Sequence, residues 1–221
     1  MLARLHDPIW ALVSLGLIAL LLRFIRSFQT ARQFPSFPFR KVLHAVVGAL
    51  TIGLTVPFQH RGWAMVPPAV FTVVNAVPRW RPRIPGLAAY EGEARGLWLF
   101  PLGVCVVDLL FWDFGHRGAV FAAIAALATG DPAAALVGSR WGQRKYTGWA
   151  RGRSVEGSIA FFLFAGIATG IVAAVCPGGP PPLRAGVGCA AIGALVEALS
   201  PAGVDNLTIP VAVALAYQFL A

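Results

Sequence analysis

The chain has 221 residues, of which 57% are hydrophobic and only 12% charged, and it carries a net charge of +9. A water-soluble domain has roughly 25% charged residues, so this sequence lacks the polar groups needed to cover a surface facing water and reads as an integral membrane protein. At about 20 apolar residues per helical crossing, the length holds at most about eight crossings with short loops and leaves no room for a soluble domain. In a polytopic chain the positive charge reflects loops biased toward one membrane face, so no nucleic-acid partner is expected.

In chain order, Arg4, His6 and Asp7 precede an apolar run at 9–22. No small-residue cleavage site follows it, so it reads as a first membrane helix rather than a signal peptide. Apolar runs between charged or Pro/Gly-rich breaks predict spans near 8–26, 42–59, 62–78, 96–112, 118–139, 157–176, 183–200 and 206–221. The expected fold is therefore all-α: a single transmembrane domain over 1–221 with about eight helices, within about seven to nine. Within it, 1–39 form a first span and basic loop. Of the 18 Lys and Arg residues, Arg23, Arg26, Arg32, Arg40 and Lys41 fall in the first loop, Arg79, Arg81, Arg83 and Arg95 in the third, and Arg140, Arg144, Lys145, Arg151 and Arg153 in the fifth. By the positive-inside bias the odd loops are cytoplasmic and both termini lie outside, as expected in a prokaryotic cytoplasmic membrane. The CPGGPPP stretch at 176–182 is then a stiff outer loop. Cys105, Cys176 and Cys189 have neither CxxC spacing nor histidine company and read as buried small residues.

This topology gathers the polar residues that hydropathy leaves unexplained. Arg40, Lys41 and His44 open the second span, and Glu91 and Glu93 precede the fourth. Asp131 ends the fifth, Glu156 and Ser158 open the sixth, Glu197 closes the seventh, and Asp205 and Asn206 precede the eighth. All fall on the cytoplasmic side, as a single site for a charged ligand requires, although charges also favour helix ends generally.

The densest stretch runs from Ala128 to Ser158. Pro132 disfavours a helical conformation at Asp131, which predicts a break in the fifth helix with Asp131 capping a short new helix. Such breaks in membranes often mark ion or substrate sites. Glycines 138, 142, 148, 152 and 157 alternate with Arg140, Arg144, Lys145, Arg151 and Arg153. Backbone amides at glycines approach phosphate oxygens closely, and the cations neutralise several negative charges, so a polyphosphate suits the loop. Anionic lipid headgroups suit it equally on spacing alone. No GxxxxGK[ST] sequence occurs, which excludes a P-loop. Asp131 and Glu156 flank the loop as hard oxygen donors of the kind that share a magnesium ion with phosphates. His44, one turn from Lys41 and Arg40, is placed to take a proton from a substrate hydroxyl, or to serve as an ordinary hydrogen-bonded residue at a helix end. Asp108 reads as a structural or cavity residue away from the cluster, and Asp7 and Asp113 as solvated ends.

Five segments carry a resemblance: RKVLHAVVG at 40–48, YEGEARGLWLFPLG at 90–103, TGDPAAALVGSRWG at 129–142, GRSVEGSIAFF at 152–162 and EALSPAGVDNLTIP at 197–210. In this order the chain resembles the polyprenol kinase family, which includes dolichol kinase, phytol and farnesol kinases and the CTP-dependent diacylglycerol kinase. The resemblance implies a kinase-like core over 40–221 that transfers a phosphoryl group from CTP or another nucleoside triphosphate to the hydroxyl of a lipid alcohol, with Mg2+ or another divalent metal. It matches Asp131 and Glu156 to acidic positions, as catalytic residues and metal ligands beside His44. Lys41, Arg140, Lys145, Arg153, Ser154, Gly157 and Ser158 become the nucleotide-binding set, and Arg40, Glu93, Glu197, Asp205 and Asn206 complete the pocket. Arg153 stands where the family usually has lysine, which keeps the charge and adds a fork.

The segments at 129–142 and 152–162 resemble, more distantly, those of the phosphatidate cytidylyltransferases, but no Lys-Asp and later His-Gly-Gly follow Glu197. A transporter built on a broken helix would show similarity between its two halves, which is not seen. A non-catalytic scaffold would leave the clustered acids unexplained.

Overall fold

The computed structural model describes residues 2–32, 36–77, 91–112, 117–147 and 152–221. Among these residues the architecture is helical: α1 (Leu2–Arg32), α2 (Ser36–Thr55), α3 (Arg61–Ala64), α4 (Val66–Ala76), α5 (Glu91–Phe111), α6 (Gly118–Trp141), α7 (Val155–Val175), α8 (Pro182–Leu199) and α9 (Asp205–Leu220). The extended structure among them is one isolated bridge between Lys145 and Ser154.

Among the described residues five helices, α1, α2, α6, α7 and α8, are long and apolar enough to cross a membrane. Of the other predicted spans, α5 has the length but carries Glu91, Glu93, Arg95 and Asp108. The 11 residues of α4 rise roughly 16 Å and the 16 of α9 roughly 24 Å, against about 30 Å of hydrocarbon. The all-α membrane fold is as expected.

Lipid does not reward helix association as water does, so small residues that admit close backbone contact must hold the bundle together. Helix α7 has the pattern that results. Gly157, Ala160, Phe161, Ala165, Thr169 and Ala173 are buried, while Ile159, Leu163, Ile167 and Ile171 form an exposed apolar stripe at spacing of four. Helix α6 is the central post, buried along most of its length, with α2, α7 and α9 packed around it. A β-carbon on Gly48 of α2 would sit 2.3 Å from the Ala128 β-carbon, so glycine is what allows α2 to lie so close to α6.

The predicted break at Asp131 does not occur. Helix α6 is continuous through Pro132, and Asp131 caps nothing. A proline inside a helix forfeits one N–H bond, here the one to the Ala128 carbonyl, and neighbouring helices supply the packing that holds the segment helical. Just before it, Thr129 returns its hydroxyl to the Ala125 carbonyl at 2.8 Å. Asp7 is not a solvated end either. It is buried and accepts hydrogen bonds from the Gln59 and His60 amides at 3.1 and 2.8 Å, fastening α1 to the loop after α2. Asp113 lies outside the described residues.

Candidate active site

Two ion-paired knots meet where five helices converge. In the first, α2 places Lys41 and His44 one turn apart on the face turned to α6. Lys41 Nζ donates to Asp131 Oδ2 at 2.9 Å, and His44 Nδ1 stands 4.0 Å from the same oxygen. Phe100 of α5 meets the imidazole edge-on, ring centroids 5.1 Å apart. His44 Nε2 is buried and finds no hydrogen-bond partner among the described residues.

Arg153 makes the second knot. Ser154 is the N-cap of α7, its Oγ accepting the Gly157 N–H at 3.2 Å, and this leaves Arg153 just outside the helix, free to reach across to α8 and α9. One guanidinium arm donates to Glu197, and the other to the Ser200 carbonyl at 3.0 Å and Asp205 Oδ2 at 2.8 Å. Ser158 donates to Glu197 Oε2 at 3.3 Å, and Tyr146 donates to Ser158 at the same distance. Asp205 Oδ1 accepts the Asn206 amide at 3.0 Å. A lysine has no planar fork and could not serve these acceptors on two helices at once. The arginine expected to bind phosphate is thus a strut between α7, α8 and α9.

The knots act on each other electrostatically. Arg153 is felt at Asp131, and Asp131 and Lys41 are felt at Asp205. Among the directly paired groups, two cations, Lys41 and Arg153, face three carboxylates, Asp131, Glu197 and Asp205. Beside them Asn206 Oδ1 is buried without a hydrogen-bond partner among the described residues. Hard oxygen donors of this kind suit a magnesium ion. Among the described residues no group of three or more His, Cys, Asp or Glu could hold a metal alone, so such an ion would need oxygens from a bound phosphate.

The remaining expected residues are distributed differently. Glu156 accepts the Arg144 amide at 3.3 Å, and no described contact joins it to Asp131. The reason is helical phase: Gly157 is the residue that faces α6, so its neighbour Glu156 is turned aside toward the loop. The glycines expected to cradle phosphate serve packing. A β-carbon on Gly157 would meet the Ala134 carbonyl at 2.9 Å, and the Gly157 N–H is already taken by Ser154. Lys145 donates to the Gly138 carbonyl at 2.8 Å. Arg140 lies over the Trp141 ring at 5.4 Å, at an exposed helix end. Arg40 borders the pocket, 6.0 Å from the Phe37 ring centre. The side chains of Glu91 and Glu93 lie outside the described residues.

Sequence reading did not anticipate the space behind the knots. A cavity of about 380 Å³ opens on Arg40, Lys41, His44, Asp131, Asp205 and Asn206 and runs between α1, α2, α4 and α5. Apolar side chains line most of it, and the Thr51 and Thr55 hydroxyls turn back to carbonyls of α2 at 2.8 and 2.7 Å, leaving their methyls toward the space. The signal was available as apolar faces on α1 and α4, but nothing in one helix shows that its neighbours stand apart.

No protein-family model and no solved structure matches the chain. It is 29% identical over 220 residues to the phytol kinase of Synechocystis sp. (strain ATCC 27184 / PCC 6803 / Kazusa), the match covering 94% of this chain and 91% of that one. This similarity to a phytol kinase over nearly the whole of both chains bears out the resemblance drawn from the five segments.

Proposed function

We propose that the protein is a lipid-alcohol kinase that transfers the γ-phosphoryl group of CTP to the hydroxyl of an isoprenoid alcohol at the cytoplasmic face of a prokaryotic membrane. The observation that carries this reading is the junction of an ion-paired polar cluster with an apolar cavity. A hydroxyl belongs at their boundary, with its hydrocarbon on one side and charged groups on the other.

In this reading Asp131 and Asp205, with Asn206, are the residues that would hold magnesium, which neutralises charge on the triphosphate when bound. Lys41 offers an ammonium to phosphate oxygens from the mouth of the cavity. His44, with its Nδ1 proton favoured by the Asp131 carboxylate, leaves Nε2 to accept the proton of the alcohol. The alcohol oxygen forms its bond to the γ-phosphorus as the bond to the bridging oxygen breaks, and CDP leaves with that oxygen. Burial of these groups excludes water, which would otherwise compete for the phosphoryl group.

The test uses purified full-length protein in lipid nanodiscs with γ-labelled CTP, magnesium and phytol. Label on the alcohol with release of CDP supports the proposal. Release of pyrophosphate with phosphatidate as substrate would replace it with cytidylyl transfer, and solute uptake without nucleotide consumption would replace it with transport. Asp131→Asn is expected to lower turnover by about a hundredfold or more while the protein still inserts and folds.

A further inference from the structure

We infer that the cavity between α1, α2, α4 and α5 binds the whole tail of a single-chain isoprenoid alcohol and measures its length, with Phe58 and Ala64 as the floor. The inference rests on the kinase reading for the identity of the head group, and on the cavity's shape for the rest.

The register of the helices gives the cavity two distinct ends. Helices α1 and α2 run antiparallel: Trp10 Nε1 donates to the Leu54 carbonyl at 2.8 Å, and Ile25 packs on Leu43. The cavity therefore begins at Leu22, Lys41 and Asp131 and ends among Leu54, Phe58 and Ala64. The stretch of α2 from Lys41 to Thr55 rises roughly 21 Å at about 1.5 Å per residue. The cavity is thus long in one direction, along α2, as an extended hydrocarbon tail requires. A polyprenol several times longer than the cavity would have to pass through its floor.

The floor is built to stay in place. Phe58 and Ala64 are each 2% exposed and pack with Ala11 and Trp112. The loop carrying Phe58 is tied from three sides. Asp7 takes the Gln59 and His60 amides, Trp10 takes the Leu54 carbonyl, and Arg117 donates to the Phe58 carbonyl at 2.6 Å. A cavity whose polar mouth and inner end are both fixed, with a mostly apolar wall between, discriminates by length. Each further carbon either finds wall to touch or pushes on a floor that cannot yield.

Two arms test this on the full-length protein in nanodiscs. In the first, kcat/KM is measured for geraniol, farnesol, phytol, solanesol and diacylglycerol. The expected optimum is phytol or farnesol, with solanesol poorest. Ala64→Phe is expected to lower phytol relative to farnesol by roughly tenfold, and Phe58→Ala to raise solanesol relative to phytol by a similar factor. Preferences that do not move in Phe58→Ala, or in whichever variant folds, overturn the ruler and leave the kinase standing. In the second arm, a farnesol analogue with a diazirine at its terminal isoprene unit is photolysed on wild-type protein without nucleotide, and the labelled residues are mapped. Label within 54–67 supports the inference whatever the turnover. Label on the outward residues Ile167 and Ile171 overturns it. If wild-type protein phosphorylates no alcohol yet labels at 54–67, the kinase reading fails and the tail site survives.

Discussion

The two halves of the bundle are packed on different principles. Helices α6 to α9, with the inner face of α5, enclose one continuous core of Ala, Val, Phe161 and Tyr217, much of it wholly buried. Among the described residues helices α1 to α4 share two small clusters, one around Phe58 and one around Ile25 and Leu43, with the cavity between them. In the dense half small residues bring backbones together, which in lipid is the main source of attraction. The hollow half cannot use that device without closing its cavity, so polar ties at the ends hold it open: Asp7 to the loop at 59–60, Trp10 to Leu54 and Arg117 to Phe58. The dense half holds most of the charged groups at fixed separations, and the hollow half leaves space for hydrocarbon beside them.

Substitutions can break or sharpen this contrast. The largest loss of stability is expected for Arg153→Gln, which strands Glu197 and Asp205 as unpaired buried charges. Breaking a buried pair costs about 3–5 kcal/mol, read as a lowered thermal unfolding midpoint in detergent. Arg153→Lys should recover only part of it, and full recovery would refute the strut role of the fork. Next comes Phe161→Ala in the dense half. Phe161 is fully buried against Gly130 and Gly193, so its removal leaves a hole costing about 3 kcal/mol. The smallest effect is expected for Phe71→Ala in the hollow half, where the ring is only half-buried and borders existing space. Its stability should change by less than about 1 kcal/mol, while its preference among alcohols shifts. Equal losses from Phe161→Ala and Phe71→Ala would show that the two halves are packed alike.

Asp131, Lys41 and His44 could be read as site residues because apolar helices do not carry such groups without a reason. Glu197, Asp205 and Asn206 stood out in the same way, and all six line one cluster or its cavity. Glu156 and Gly157 were read from equally good spacing and went elsewhere. On adjacent residues of a helix, a phase of about 100° decides whether a side chain meets the site or the neighbouring loop. The sequence could not show which of the two faces α6. Pro132 failed as a helix breaker for a similar reason, since local preference yields where neighbours surround the segment.

By itself, the sequence determined that this chain lives in a membrane, that it is helical, and which polar side chains are too costly to bury without a partner, because these follow from composition and from local period. Only the tertiary structure decided that Arg153 braces three helices, that the glycines near it bring helices together, and that a tail-sized space stands behind Lys41 and Asp131. Those outcomes depend on the distances and rotations between helices, and these are fixed by packing among residues far apart in the chain.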